Sequence, residues 1–180
     1  MGKKVLIIGT SPRLHGNSNI LARSFAKGAE EAGNEVEFVP MAGKRIGFCI
    51  GCWGYLKTKS CVVNSDDAEE VVQKIRRSDV VVFATPIYYY EMSGQMKTLL
   101  DRTNCPYTAD YDFWDVYLLT TAESGEKDTP QHAIGGVEGW LKVFNKAKLR
   151  GVIFAGRTTG DGTIRGHREL AEAEAMGRAV

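Results

Sequence analysis

Short apolar runs alternate along the chain with longer segments that are apolar at helical spacing. Continuous apolar runs, typical of strands covered on both faces, occur at 5–8, 79–84, 116–121 and 151–155. Residues 35–39 alternate polar and apolar positions, as a half-buried strand does. Amphipathic helical segments begin near residues 17, 65, 93, 130 and 169, the fourth running to about 145. This alternation predicts an α/β fold with a five-stranded parallel sheet and helices on both faces.

Several of the connections between these elements have unusual composition. In an open parallel sheet, ligands bind beyond the carboxyl ends of the strands, where the strand order reverses. We therefore expect the loops after Ile8, Ala84 and Thr121 to lie side by side at one end of the sheet. The long connection 40–65 is irregular and contains three of the four cysteines. The glycine-rich, charged segment 156–166 is expected to be a surface loop.

The first loop combines hydroxyls, small residues and one arginine between a buried strand and a helix start. The first amide groups of a helix have no internal partners, and the helix dipole favours negative charge there. Such a loop is typical of a phosphate site, with candidate donors Ser11, Arg13, Ser18 and Asn19. A plain strand-to-helix turn, capped by Asn17 or Ser18, is the alternative.

Glycine spacing narrows the kind of phosphate that this loop suits. Only Gly9 and Gly16 are present, so the dinucleotide fingerprint G-x-G-x-x-G is absent. The Walker pattern fails as well, because Asn17 follows Gly16 where that motif requires lysine. Hydroxyls and one arginine suit a terminal monophosphate, which has several oxygens that need donors. The loop therefore favours a mononucleotide such as FMN over NAD or ATP as the bound group.

Composition limits the partners and the compartment. The 180 residues suffice for one compact domain, which we expect to span 1–180. The net charge of +1 lacks the excess of basic residues that is typical of nucleic-acid-binding proteins. No apolar run approaches the ~20 residues that a bilayer requires, and no signal-peptide pattern follows the first residues. We expect a cytoplasmic protein without membrane or nucleic-acid partners. Its four cysteines are then expected to be thiols or metal ligands rather than disulfides.

Three motifs follow one another in an order typical of one family. They are Ser11-Pro12-Arg13 with Gly16-Asn17-Ser18, then Cys49-Ile50-Gly51-Cys52, then Thr85-Pro86-Ile87-Tyr88 leading to Gly94-Gln95-Met96-Lys97 and Asp101-Arg102. On these motifs the chain from about residue 3 to about residue 156 resembles the flavodoxin-like NADPH-dependent FMN reductases, close to the branch of iron–sulfur flavoproteins. The resemblance implies a flavodoxin-like, doubly wound sheet in strand order 2-1-3-4-5, bound FMN, NAD(P)H as co-substrate, and a homodimer or homotetramer.

The resemblance also implies FMN-binding residues in three loops. The phosphate loop matches at Ser11, Arg13, Asn17, Ser18 and Asn19. The loop that lies along the isoalloxazine ring, with backbone groups at the flavin edge, matches at Pro86, Ile87, Tyr88, Tyr89 and Tyr90. A third loop, on the far side of the ring, matches at Thr120, Thr121 and Ala122. The tyrosines also fit a partly buried aromatic loop or a dimer contact, and these alternatives stay open.

The cysteine pattern departs from that of the iron–sulfur relatives. Those proteins carry C-x2-C-x2-C and then a further cysteine, whereas here Tyr55 stands at the third position after Cys49 and Cys52. Cys61 follows downstream, and Cys105 lies well outside the motif. A four-iron cluster is ordinarily held by four thiolates, and no histidine lies nearby to complete a zinc site. We therefore expect no bound metal. The cysteines are expected to be free thiols that lie near the flavin or a subunit interface. A redox-active Cys49–Cys52 pair is the alternative.

The function predicted from these residues is an NAD(P)H-dependent FMN oxidoreductase. It would pass electrons to a small acceptor such as a quinone, a nitro or azo compound, a flavin or a metal ion. No catalytic acid or base is assigned, since the flavin carries the chemistry. An electron-transfer flavoprotein serving protein partners is the alternative, which the net charge of +1 and the Ser-Pro-Arg loop disfavour. A protein that holds FMN without turnover is a third hypothesis, and the segment after Gly156 receives no role beyond packing or oligomer contact.

Overall fold

The computed structural model describes residues 2–180, with Tyr107 described by its backbone alone. The strands are β1 (Lys4–Gly9), β2 (Glu35–Pro40), β3 (Val80–Tyr88), β4 (Glu91–Met92), β5 (Asp115–Thr121) and β6 (Lys148–Ala155). The helices are α1 (Asn17–Glu31), α2 (Tyr55–Thr58), α3 (Ala68–Arg77), α4 (Gly94–Arg102), α5 (Gln131–Leu141) and α6 (Arg168–Arg178), with a 3-10 turn at Pro106–Thr108. Within residues 2–180, no helix has both the length and the apolar character needed to cross a membrane.

The sheet has the predicted doubly wound topology. Five strands pair in parallel in the order β2-β1-β3-β5-β6, and the two-residue strand β4 pairs antiparallel with β3, off this path. When only the parallel strands are counted, the order is the predicted 2-1-3-4-5. The labels differ because β4 is an extra strand that the sequence pattern did not indicate. The α/β fold with helices on both faces is confirmed.

Two hydrophobic cores, one on each face of the sheet, explain the continuous apolar runs. Side chains of β1 and β3 alternate between them: Leu6, Ile8, Val81 and Phe83 belong to one, and Val5, Ile7, Val80 and Val82 to the other. The first core includes apolar residues of α3, α4 and α5, and the second includes those of α1 and α6. A strand covered on both faces needs apolar residues at every position, which is the pattern seen in the sequence.

The ends of β3 and α5 and the cap of α1 differ from the predicted ones. β3 continues to Tyr88, so Pro86–Tyr88 belong to a strand rather than a loop, because this part of β3 pairs with β5 and β4. α1 begins at Asn17 with Gly16 at its N-cap position and without a side-chain cap, so neither Asn17 nor Ser18 caps it. α5 ends at Leu141, short of residue 145, because the Phe144 amide donates to the Leu141 carbonyl in a tighter turn.

A cluster of three buried hydroxyls joins the loop after β1 to β3 and α4. The Ser93 hydroxyl lies 3.1 Å from Thr10 Oγ1 and 3.2 Å from Thr85 Oγ1. It also accepts a hydrogen bond from the Met96 amide at 3.3 Å, which caps the start of α4. Thr10 Oγ1 donates to the Ala84 carbonyl at 3.0 Å. All three hydroxyl residues are fully buried, so their positions are fixed relative to one another.

Arg102, at the end of α4, holds the long connection between β2 and α3. Its side chain is 1% exposed and lies 2.7 Å from Asp66 Oδ2. The guanidinium also donates to the carbonyls of Gly47 and Val63, at 2.8 and 2.9 Å. Burial raises the pKa of Asp66, but hydrogen bonds from Arg102 and from the Gly47 and Ala68 amides outweigh it, so the pKa is lowered. This ion pair anchors a connection that contains only the short helix α2.

We expect Asp66→Asn to destabilise the protein by about 3–5 kcal/mol near neutral pH, because the buried Arg102 guanidinium loses its charged partner. The folded pKa of Asp66 lies below the unfolded one, so its contribution is complete above an unfolded pKa of about 3.9 and is lost as the pH falls through the folded value. Urea unfolding of wild type and variant from neutral to acid pH measures the gap in stability, which should shrink in acid.

The matched control is Asp112→Asn, because the 3.6 Å pair of Asp112 with Arg77 is solvent-exposed. Exposed ion pairs contribute little, so this change should leave stability nearly unaltered at every pH. A gap for Asp66→Asn that stays constant from neutral to acid pH would contradict the assignment.

Candidate functional site

A cleft of about 260 Å³ opens at the carboxyl edge of the sheet, where the loops after β1, β3 and β5 meet. It is lined by Ser11, Arg13, Asn17, Ser18, Pro86, Ile87, Tyr88, Thr121, Ala122, Glu123, Thr158 and Thr159. The strand order thus brings together the three loops of unusual composition. Because the lining comes from four separate parts of the chain, the cleft exists only in the folded sheet.

Most of the residues predicted to bind FMN line this cleft, and four do not. Asn19 is buried below it, where its Nδ2 donates to the carbonyls of Arg13 and Leu14 at 3.1 and 3.3 Å and so shapes the loop. The Thr120 hydroxyl donates to the Ile153 carbonyl at 3.1 Å inside the sheet. Tyr89 and Tyr90 stand at the tip of the β3–β4 hairpin, beyond the lining residues. Contact of these four with FMN stays a prediction.

The start of α1 forms the end of the cleft that suits an anion. Ser18 Oγ and Asn19 Oδ1 are buried, and neither has a hydrogen-bond partner among the residues described. A buried polar atom left unpaired costs about 1–3 kcal/mol, so a ligand that pairs with the Ser18 hydroxyl would recover that energy. A Cβ on Gly16 would collide with Ser11 Oγ, which explains the glycine at this position. The hydroxyls, the uncapped helix start and Arg13 fit the oxygens of a phosphate group.

The segment after β6 completes the cleft, a role that the sequence pattern did not predict. Asn17 Nδ2 donates to the Gly160 carbonyl at 2.9 Å, and its Oδ1 accepts from the Ile164 amide at 3.3 Å. Asn17 therefore binds this segment rather than capping α1. The amide and the hydroxyl of Thr158 both donate to the Ala122 carbonyl, at 2.9 and 3.0 Å. Glycine-rich composition correctly indicates a loop here, but only these distant pairings place it beside the phosphate end.

Arg13 already has an ionic partner in this segment. Its Nη1 lies 2.8 Å from Asp161 Oδ1, and both side chains are about half exposed. A phosphate at the start of α1 would therefore meet an arginine that is positioned by the segment after β6. Arg13 remains the cation that lines the cleft at this end.

The hairpin between β3 and β4 has two tyrosines as its loop. Tyr88 pairs with Glu91, so Tyr89 and Tyr90 form a two-residue turn with φ angles of 50° and 65°. Turns with two positive φ angles normally use Asn-Gly or Asp-Gly, because a side chain is strained in this region. The strain costs about 1–3 kcal/mol for each tyrosine. Tyr89 is fully exposed and Tyr90 is half exposed, so burial of the rings does not offset this cost.

A larger cavity of about 640 Å³ lies between the connection before α3, α4 and α5. All four cysteines line it, including Cys105, which sequence spacing placed outside the motif. Cys49 and Cys52 are exposed, and Cys61 Sγ accepts a hydrogen bond from Arg102 Nη2 at 3.3 Å. Burial, with the neighbouring Glu69 carboxylate, raises the pKa of Cys105 to about 12. Cys105 is therefore a neutral thiol at physiological pH.

These cysteines do not fit a metal cluster. In the described part of the chain, no three His, Cys, Asp or Glu side chains lie close enough together to hold a metal ion. A four-iron cluster is ordinarily held by four thiolates, and the third position of the C-x2-C-x2-C pattern carries no thiol here. Tyr55, at the position where iron–sulfur relatives have a cysteine, stacks on Trp53 with ring centroids 6.1 Å apart.

Comparison with known proteins identifies the family. The family described as NADPH-dependent FMN reductase matches residues 3–151, which is most of the chain. The chain belongs to the NADPH-dependent FMN reductase family. At the level of this family, the predicted cofactor FMN, the donor NAD(P)H and the class of FMN-dependent oxidoreductase are confirmed. The FMN contacts of individual site residues stay predictions.

Among curated proteins, several similar relatives are iron–sulfur flavoproteins. One from Archaeoglobus fulgidus is 31% identical over 181 residues, which cover 99% of this chain and 78% of that protein. One from Methanocaldococcus jannaschii is 35% identical over 100 residues, covering 56% of this chain and 51% of that protein. The matched region thus spans about half the length of the second relative.

Solved structures confirm the flavodoxin-like fold. An NAD(P)H:quinone oxidoreductase from Methanothermobacter marburgensis superposes with a TM-score of 0.71 at 19% identity, covering 99% of this chain and 98% of that one. An azoreductase from Bacillus anthracis superposes with a TM-score of 0.72 at 15% identity, covering 99% of this chain and 100% of that one. At such identities the likeness concerns the fold alone.

We expect the wild-type protein to stay free of iron after anaerobic incubation with iron and sulfide. The variant Tyr55→Cys restores the C-x2-C-x2-C spacing of the relatives, so its iron content should rise because a third motif thiol becomes available. Tyr55→Phe is the matched control, since it keeps a ring against Trp53 and adds no thiol. Iron analysis and visible absorbance measure the outcome, and a full cluster in wild type would contradict the prediction.

Proposed function

We propose that the protein is an FMN-dependent oxidoreductase that takes electrons from NAD(P)H and passes them to a small acceptor. One observation carries the proposal. One end of the cleft contains the Ser18 hydroxyl, which has no partner among the described residues and so suits an anion, and Pro86, Ile87 and Tyr88 form a largely apolar end. A ligand that matches both ends has a phosphate on one side and a flat apolar ring on the other, as FMN does.

The lining residues would share the work of holding FMN. Ser11, Ser18 and Arg13 would bind the terminal phosphate together with the first amides of α1. Pro86, Ile87 and Tyr88 would flank one side of the ring system, with Thr121 and Ala122 across the cleft from them. Bound FMN supplies the chemistry that no side chain offers, accepting hydride equivalents from NAD(P)H and releasing electrons to an acceptor.

The chain's own residues fix the positions of the two ends of the cleft relative to each other. Pro86 has no amide hydrogen and restricts the backbone beside the ring position. Ser93 fixes the loop after β1 relative to β3, through Thr10 and Thr85. Binding and orientation are therefore the roles of the protein, and no side chain is assigned as a catalytic acid or base.

The acceptor that we favour is a quinone or an azo compound, with nitro compounds, flavins and metal ions as further members of the class. Support comes from two of the fold neighbours, a quinone oxidoreductase and an azoreductase. The cleft is open, so one face would serve NAD(P)H and the acceptor in turn, in a ping-pong pattern. An electron-transfer protein for protein partners is the second candidate, which the iron–sulfur flavoprotein relatives favour.

We further propose that the protein works as a homodimer or homotetramer in the cytoplasm. Large apolar side chains in and around the connection before α3 are exposed, among them Phe48, Ile50, Trp53 and Leu56. Several exposed apolar side chains within one short segment are typical of protein–protein contacts. Four unpaired cysteines suit a reducing compartment.

The proposed function is tested by anaerobic titration of the FMN-loaded protein with NADPH. We expect loading with FMN to give a flavin spectrum that persists through gel filtration, and NADPH to bleach it. Reoxidation by menadione, a naphthoquinone, should then restore the spectrum. Failure to retain FMN would contradict the proposal. A retained flavin that NAD(P)H does not bleach would favour the electron-transfer candidate.

We expect Arg13→Ala to weaken FMN binding about tenfold, because a charge-assisted hydrogen bond to phosphate is lost. Turnover of FMN-saturated protein should change little, since Arg13 lies at the phosphate end of the cleft. Fluorescence titration with FMN and steady-state turnover at saturating FMN measure the two effects.

Asp161→Asn is the matched control for this prediction, because it removes the same ion pair from the other side. FMN should bind this variant at least as tightly as wild type, since the arginine is retained and its competing carboxylate is gone. Equal weakening in both variants would mean that Arg13 only holds the segment after β6 in place.

A further inference from the structure

The tip of the β3–β4 hairpin presents two aromatic rings without using them for packing. Tyr89 is fully exposed, and none of the described side chains makes a hydrogen bond or a ring contact with Tyr89 or Tyr90. Both residues hold positive φ angles that glycine or asparagine adopts more readily. Neither the exposure of these positions nor their backbone conformation explains the presence of tyrosine. We therefore expect the two rings to have a function of their own.

The base of the hairpin is rigid. Met92, the second residue of β4, is buried in the core, and its amide donates to Glu91 Oε1 at 2.7 Å. The next residue, Ser93, belongs to the buried hydroxyl cluster, and its amide donates to Thr85 Oγ1 at 3.0 Å. The rings are therefore carried on a fixed support rather than on a mobile loop. A hairpin that is already fixed loses little conformational freedom when a ligand binds to it, and tyrosine side chains also lose little.

The hairpin lies at the ring end of the cleft. Tyr88 lines the cleft, and Tyr89 and Tyr90 follow it directly in the turn. A substrate that reaches the apolar end of the cleft passes beside these two rings. Aromatic faces bind planar π systems by offset stacking or edge-to-face contact.

The charge of the hairpin selects the kind of planar molecule. The exposed carboxylate of Glu91 pairs across the hairpin from Tyr88, and residues 88–92 contain no lysine or arginine. The hairpin thus carries one carboxylate and no cation, so it offers an anionic ligand no charge partner, whereas its two rings suit an uncharged planar molecule. An uncharged aromatic or quinoid molecule matches it in shape and charge.

We propose that the side chains of Tyr89 and Tyr90 form a stacking platform for the planar, uncharged acceptor of the enzyme. The inference rests on the proposed function and deepens it by naming the substrate class and the residues that recognise it. It leaves the predicted contact between the backbone of this hairpin and the flavin edge unchanged. The two tyrosines are specificity-determining residues, and the reaction itself does not pass through them.

The test is the double variant Tyr89→Asn with Tyr90→Gly, which gives the turn its preferred sequence. Relief of strain should raise Tm by about 4 °C or more. Loss of two stacking rings should raise the KM for menadione about fivefold or more, relative to the KM for ferricyanide, an acceptor without an aromatic face. Gain of stability together with loss of affinity for the planar acceptor is a result that a merely structural role of the tyrosines does not produce.

Two controls accompany this variant. The double variant Tyr89→Phe with Tyr90→Phe keeps both rings, so its ratio of KM values should equal that of wild type. Trp114→Ala removes an exposed aromatic ring next to the start of β5, at the opposite end of the sheet, and should also leave the ratio unchanged.

The outcomes separate this inference from the proposed function. Loss of FMN binding or of bleaching by NADPH in the wild-type protein overturns both. Normal bleaching with an unchanged ratio in the Asn-Gly variant overturns the stacking platform alone. A smaller particle in gel filtration with an unchanged ratio also overturns it, and assigns the rings to a subunit contact.

Discussion

One buried hydroxyl determines the geometry of the functional end of this protein. Ser93 Oγ lies between Thr10, in the loop after β1, and Thr85, in β3, and it also caps α4. In the interior such a network is stable only when each member is paired, because an unpaired hydroxyl there is costly. The loop after β1, the end of β3 and the tyrosine hairpin are thus joined by one set of side-chain hydrogen bonds, in addition to the backbone pairing of β3 with β1 and β4.

The elements predicted from the sequence are those that leave a local pattern. Buried strands such as 79–84 are apolar throughout, and α3 shows helical spacing, because each faces a core that demands it. Strand order then places the loops after β1, β3 and β5 together, which accounts for most of the cleft. The extension of β3 to Tyr88 was missed because its partner β4 has only two residues, too few to form a pattern.

The contributions that sequence reasoning missed arise from contacts between distant parts of the chain. Thr158 and Thr159 reach the cleft because Asn17 binds the Gly160 carbonyl, 143 positions away. Cys105 joins the other three cysteines through packing of α4 against the connection before α3, although it lies outside their motif. A motif in a single sequence records neighbours along the chain, so it carries no sign of either contact. The same limit applies to the strained tyrosine turn, since three tyrosines in a row resemble any aromatic loop.

The ion pair between Arg13 and Asp161 changes the meaning of an arginine at the start of α1. An incoming anion there replaces one negative partner with another, so the net gain in free energy is smaller than for a bare cation. What the exchange does supply is discrimination, because a neutral group cannot displace the carboxylate. Arg13 therefore favours the binding of ligands that carry their own negative charge over the binding of neutral ones.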